Sequence, residues 1–302
     1  MKKMLSRFFL LLIIQSATAM NSNNTCSTAK IDWQTALSNQ RSIMEPAEYT
    51  LLSSQQMVFQ KNVAPNIVHP AVKSIPIIES SESLVDIRTA GIARITMLPD
   101  PDKPFASPDH NSGFVCASKV RLTILSKLQT MISELDRISS EFGYEPGQIS
   151  IKVFEGLRDI KTQEMLFNNK CKEIFDANPT LTEDEAYAET CKWVSPVRNN
   201  VPVHSTGAAV DIRLWDEKNK QFLDVGMFGV IWGKNTAAPT YSEEITNEQK
   251  NNRLLLLIAA AKAGFTNYVY EHWHFSSGDR YDSFWRELDT EKRSARYGVA
   301  NE

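Results

Sequence analysis

The sequence lacks the features that mark most catalytic and structural classes. It has no glycine-rich phosphate loop and no Gly-x-Ser-x-Gly elbow, so it offers neither a nucleotide cradle nor a serine-hydrolase turn. No internal repeat is present, which excludes a solenoid or propeller. Neither sign of charge dominates: the formal charge is −3 over 302 residues, which leaves no electrostatic case for a nucleic-acid partner. No segment after residue 19 is apolar enough to cross a bilayer, so no stable membrane insertion is expected. Cysteine is scarce, with four in all, and Cys26, Cys116, Cys171 and Cys191 nowhere show the Cys-x-x-Cys spacing of a zinc knuckle. The length suits one large domain, or a domain with a long extension.

Residues 1–19 read as a targeting segment. Lys2, Lys3 and Arg7 form a positive start, residues 8–14 a short apolar core, and Ala17-Thr18-Ala19 a small-residue cleavage site. The apolar run is too short to span a bilayer comfortably. An exported chain, periplasmic or secreted, with a mature start at Met20 is therefore expected. Export and an even cysteine count predict disulfides, and Cys171 and Cys191 bracket a helical stretch that they can staple.

Residues 20–83 show no clear period. Pro46, Pro65, Pro70 and Pro76 interrupt them, and they read as an N-terminal extension with short helices. Residues 85–98 read as a strand leading into a proline-rich loop at 99–108, near which His110 reads as a surface residue. Helical spacing of Val120, Leu122, Ile124, Leu125, Leu128, Met131, Ile132 and Leu135 predicts a core helix over 117–142. A strand follows over 149–154, then helices over 162–175 and 181–193, a strand over 209–214, a hairpin and loop over 215–241, and a helix over 247–263. A strand over 265–275 and a closing helix over 281–288 complete the reading. The fold class expected is α+β, a mostly antiparallel sheet with helices packed on one side.

The chemistry gathers in two stretches. In 203–214, His204 precedes a small-residue turn at Gly207, and Ala209 to Leu214 alternate in character. Ala209, Asp211 and Arg213 share one strand face, and Val210, Ile212 and Leu214 the other. An imidazole and a carboxylate are good ligands for a borderline cation such as zinc. The second stretch, Tyr270-Glu271-His272-Trp273-His274-Phe275, holds two of the five histidines and a spare carboxylate. Three protein ligands, an open position and a nearby carboxylate make up a zinc hydrolase site. A regular strand would put His272 and His274 on one face with Glu271 pointing away, so both histidines stand as candidates for the third ligand.

His204-x-x-Gly207-x-Ala209-x-Asp211, followed by Glu271-x-Trp273-His274, resembles the zinc D-alanyl-D-alanine dipeptidases, and more widely the D,D-peptidase and hedgehog-like metallopeptidase superfamily. The resemblance covers about residues 85–284 and implies a catalytic domain over 84–302. It implies one zinc per chain held by His204, Asp211 and His274, with Glu271 as general base, and so requires a local bend near His274. It puts His272, where an aromatic residue often stands, beside the ligands or in the cleft. Arg158, at the end of the 149–154 strand, takes the place of an arginine that holds the oxyanion. Trp273 would wall the site. The implied substrate is D-Ala-D-Ala in cell-wall peptide metabolism.

Two departures bear on that substrate. Pro202 stands where the dipeptidases carry a serine for the free amino terminus, and Gly229 lies near the place of an acidic residue. A carboxypeptidase or endopeptidase acting on peptidoglycan stem peptides is the enzymatic alternative. A zinc-stabilised binding domain is the non-enzymatic one, against which Glu271 argues because a purely structural site needs no base.

Overall fold

The apolar positions of two long helices build the layer on which the sheet lies. In the computed structural model, which describes residues 29–98, 117–226 and 236–300, the chain divides into two units. These are Met1–Lys30, of which only residues 29 and 30 are described, and Ile31–Glu302. The second unit runs through α1 (Trp33–Asn39), α2 (Pro46–Gln60), α3 (Pro70–Lys73), β1 (Leu84–Asp86), β2 (Ile95–Met97), β3 (Lys119–Arg121) and α4 (Leu122–Ile138). It continues through β4 (Ile149–Glu155), α5 (Ile160–Ala177), α6 (Glu183–Thr190), β5 (Ala209–Asp216), β6 (Gln221–Phe222), α7 (Asn247–Lys262), β7 (Thr266–Asn267), β8 (His274–Ser276) and α8 (Arg280–Arg286). The targeting segment, Cys26, the 99–108 loop, Cys116, His110 and Gly229 lie outside the described residues. No described helix is long and apolar enough to cross a membrane.

Helix α4 buries Ile124, Leu125, Leu128, Met131, Ile132, Leu135 and Ile138, the stripe its spacing predicts. It begins later than expected. Residues 119–121 form β3, antiparallel to β1, so Val120 enters the core from a strand, and Leu122, at the helix start, is exposed. The Glu82 carboxylate accepts from the Thr123 backbone and hydroxyl and satisfies that start. Helix α7 is buried on every side from Leu254 to Ala261, as a central helix must be. Thr246 and Gln249 close its first turn with a reciprocal capping box.

The main sheet has the order β2-β4-β5-β8-β7, with β6 pairing β5 as a hairpin. It is α+β in class, but the sheet is mixed where a mostly antiparallel one was expected. β2 runs parallel to β4 because the chain returns through α4, and parallel neighbours require such a crossover. Residues 85–98 are likewise not one strand; they turn between β1 and β2, which belong to different sheets. The inner face of β4 and β5 supplies Ile149, Ile151, Val153, Val210, Ile212 and Leu214 to the core.

The helices before residue 84 share that core. Trp33, Leu37 and Leu52 are buried in it, the Trp33 indole donates to the Ser242 carbonyl, and the Tyr241 hydroxyl donates to the Leu52 carbonyl. The expected staple between Cys171 and Cys191 does not form: both are free, half-buried thiols. Aromatic packing ties α5 to α6 instead, with the Phe167 and Tyr187 rings 5.1 Å apart.

Candidate metal centre

Alternation along β5 fixes what each face presents. Val210, Ile212 and Leu214 face the core, and Asp211 faces the other way. Register does the rest. Asp211 lies opposite His274 on β8 and, past an irregularity after Val153, opposite Glu155 on β4. Directly paired positions on neighbouring strands stand about 5 Å apart, so Glu155, Asp211 and His274 form a row across three strands. His204 joins the row from the 3₁₀ turn His204–Thr206 just before β5. The turn ends at Gly207 with φ +69°, a left-handed conformation that favours glycine. Gly156 is needed for space alone: a Cβ there would meet the Lys119 carbonyl oxygen at 2.6 Å.

His204, Asp211 and His274 bring one donor atom each to within 4.8 Å of one another. His204 Nε2 is 3.3 Å from Asp211 Oδ1, and His274 Nδ1 is 3.0 Å from the same oxygen. His204 Nδ1–H donates to the Gly156 carbonyl at 2.9 Å, which orients the ring and leaves Nε2 as its free donor atom. Two imidazole nitrogens and one carboxylate oxygen, converging with a side open to a cavity, are the donor set of a zinc site with a free position.

The bend expected beside His274 is present. The stretch 265–275 is not a continuous strand: it breaks into β7, a turn and β8. In the turn, the Glu271 backbone N–H donates to Tyr268 and that of His274 to Glu271. This three-residue spacing brings Glu271 Oε2 to 3.9 Å from His274 Nδ1. Strand parity fails here because the residues are not in a strand. His272 parts from the group: its Nδ1–H donates to the Ala238 carbonyl at 3.1 Å, its ring packs against Trp273, and it does not line the cavity.

Arg158, 15% exposed, lines the cavity. Glu155 accepts from its Nε and Nη2 at 2.7 and 2.6 Å, and Gln163 Oε1 accepts from its Nη1 at 2.9 Å. Each Nη nitrogen keeps one N–H for a ligand. Asp159 caps α5, accepting from the backbone of Lys161 and Thr162. Gln163 escaped the sequence reading, and so did the place of Glu155 opposite Asp211. Glu155 sits three residues before Arg158, but nothing local shows that it also faces Asp211 across the sheet. Gln163 lies one turn into α5 and ties Arg158 to the wall loop by donating to the Ser195 carbonyl.

The carboxylates and imidazoles of this group shift one another strongly. Burial opposes charge on His204, but Asp211 and Glu155 outweigh it and push the imidazole up to about 9. Burial would raise Asp211; His204 and His274 outweigh it and hold the carboxyl far below its usual range. Glu271 is raised by burial and by Asp211, against the pull of His274, His204 and Arg158. A raised carboxyl close to the donor atoms suits proton exchange near neutrality. The group opens into a cavity of about 580 Å³, lined also by Ile67, Trp193, Pro202, Tyr268 and Trp273.

Residues 149–289 match the family model described as D-ala-D-ala dipeptidase. A D-alanyl-D-alanine dipeptidase of Synechocystis sp. is 28% identical over 151 residues, covering 43% of this chain and 60% of that protein. Among solved structures, a zinc complex of a VanY D,D-pentapeptidase variant is 17% identical with a TM-score of 0.32, over 58% of this chain and 83% of its own. The LdcB LD-carboxypeptidase is 16% identical with a TM-score of 0.33, over 60% of this chain and 72% of its own.

Proposed function

We propose that this chain, whose residues 149–289 match the family model described as D-ala-D-ala dipeptidase, is a zinc peptidase that cleaves D-Ala-D-Ala bonds in cell-wall peptide metabolism. The observation that carries the reading is the convergence of His204, Asp211 and His274 with Glu271 Oε2 3.9 Å from His274 Nδ1. His204 Nε2, Asp211 and His274 Nδ1 would hold one zinc. Bound there, zinc supplies Lewis acidity, polarising a carbonyl and acidifying water. Glu271 takes the proton of the attacking water and returns it to the leaving amine. Arg158 aims its two spare N–H groups at the developing oxyanion, held in place by Glu155 and Gln163 before substrate arrives. Trp273, nearly buried at the cavity wall, limits access of bulk water. A general base beside the donor group argues against a purely structural zinc domain.

A second reading, carboxypeptidase or endopeptidase action on stem peptides, is favoured by Pro202, which lines the cavity and offers no side-chain group to an amino terminus. Export rests on Lys2, Lys3, Arg7 and the Ala17-Thr18-Ala19 site. The test is hydrolysis of D-Ala-D-Ala and of D-Ala-D-Ala-terminated peptides with free and blocked amino ends, before and after chelation and zinc return. Zinc-dependent release of D-Ala supports the reading. Cleavage of blocked peptides selects the second form, and a zinc-loaded protein inert to every substrate contradicts both.

A further inference from the structure

The cavity extends well past the donor group along α5. Gln163, Leu166, Asn169, Lys170 and Glu173 all line it, at spacings of three and four that put them on one helix face. At 1.5 Å per residue, Gln163 to Glu173 covers roughly 15 Å of helix axis. An extended peptide advances about 3.3 Å per residue, so this face is long enough for roughly four residues, about twice a dipeptide.

Lys170 is the charge built into that wall. Its side chain is 13% exposed, and its ammonium is 2.9 Å from Glu173, which is 69% exposed. It sits 5.7 Å from the centre of the Trp193 ring, which also lines the cavity. Glu173 is its only hydrogen-bond partner among the described residues, and an ammonium has three donors, so two remain. Those two N–H groups, beside the Trp193 ring, can meet a ligand carboxylate.

We propose that Lys170 and Trp193 form a second subsite, which binds a carboxylate carried on the peptide about three residues before the cleaved bond. The spacing follows from the seven residues between Gln163, bonded to Arg158, and Lys170. They span roughly 10 Å of helix, or about three residues of extended peptide. The subsite rests on the peptidase reading and deepens it, since it makes the substrate an acidic peptide longer than a dipeptide.

The test uses the zinc-loaded full chain and two peptides of equal length ending in D-Ala-D-Ala. One carries glutamate three residues before the bond, the other glutamine. Wild type should favour the glutamate peptide by about tenfold in kcat/KM, through KM. Lys170→Met should erase that ratio with zinc content unchanged. Equal rates on both peptides in wild type, or a ratio that survives Lys170→Met, overturns the subsite. If wild type cleaves neither peptide, the peptidase reading fails, and calorimetric titration of the same two peptides decides the subsite separately. Tighter binding of the glutamate peptide, lost in Lys170→Met, supports it; equal binding overturns it.

Discussion

His272 and His274 leave one turn two residues apart, both almost wholly buried at 1% and 3% exposure, and enter surroundings of opposite charge. His274 meets the carboxylates of Asp211 and Glu271. His272 meets a backbone carbonyl, with the guanidinium groups of Arg253 and Arg213 nearby; burial first, then those cations, hold it neutral, well below the usual histidine range. Two carboxylates repeat the contrast. Asp211 is held down by two imidazoles. Asp279 is pushed up to about 6, chiefly by burial and also by the charge of Asp282. Depth alone therefore does not mark a functional group here. What sets the proposed site apart is a partner of opposite charge whose remaining atoms face a cavity.

The largest effect that can break this contrast is loss of metal. His204→Ala and His274→Ala should each abolish zinc retention, while His272→Ala should keep one zinc per chain. Elemental analysis of the purified variants reads this directly. Zinc loss in His272→Ala equal to that in His274→Ala would move the ligand assignment to His272.

A smaller effect sharpens the electrostatic side. With His204 pushed up to about 9 in the metal-free site, its ring carries a proton at pH 7 that zinc must displace. Uptake should release roughly one proton, and apparent affinity should fall about tenfold per pH unit below pH 9, because metal competes with proton for the same nitrogen. Calorimetry in buffers of different ionisation heat measures the release. A heat independent of buffer would mean that His204 is neutral before metal binds.

The smallest effect concerns Asp279. Its folded value, about 6, lies above the ordinary 3.8, so its contribution is fully present below pH 3.8 and is lost as pH rises through 6. Asp279→Asn keeps a side chain that can cap α8 and cannot ionise. It should gain about 1–3 kcal/mol relative to wild type between pH 4 and pH 7. Urea midpoints at the two pH values read the difference, and parallel pH profiles for the two proteins would show that Asp279 ionises normally.

Much of the site was legible because its signals are local. Alternation over residues 209–214 exposed Asp211, and the small residues before it located the turn under His204. What stayed hidden depends on pairing between distant segments. Glu155 acquires meaning only from the β4–β5 register, and the parallel β2–β4 pair only from the return through α4. Trp33, Leu37 and Leu52 enter the main core from a stretch with no clear period, so an apparent extension proved to share that core. The turn at 268–274 defeated strand parity, and there the family resemblance carried what spacing alone left open. The staple expected of Cys171 and Cys191 does not form, and packing of Phe167 on Tyr187 ties the two helices instead.

The central claim, that one half-buried carboxylate moves the proton while three other side chains hold the metal, rests on Glu271. Glu271→Gln keeps size and hydrogen-bonding shape but accepts no proton at neutral pH. Zinc content and D-Ala release are to be measured on the same preparation of wild type and variant. The account predicts one zinc per chain in both, with hydrolysis by the variant lower by about 10²–10⁴-fold. Near-wild-type turnover in the zinc-loaded variant would show that another group is the base, and loss of zinc would make Glu271 a ligand.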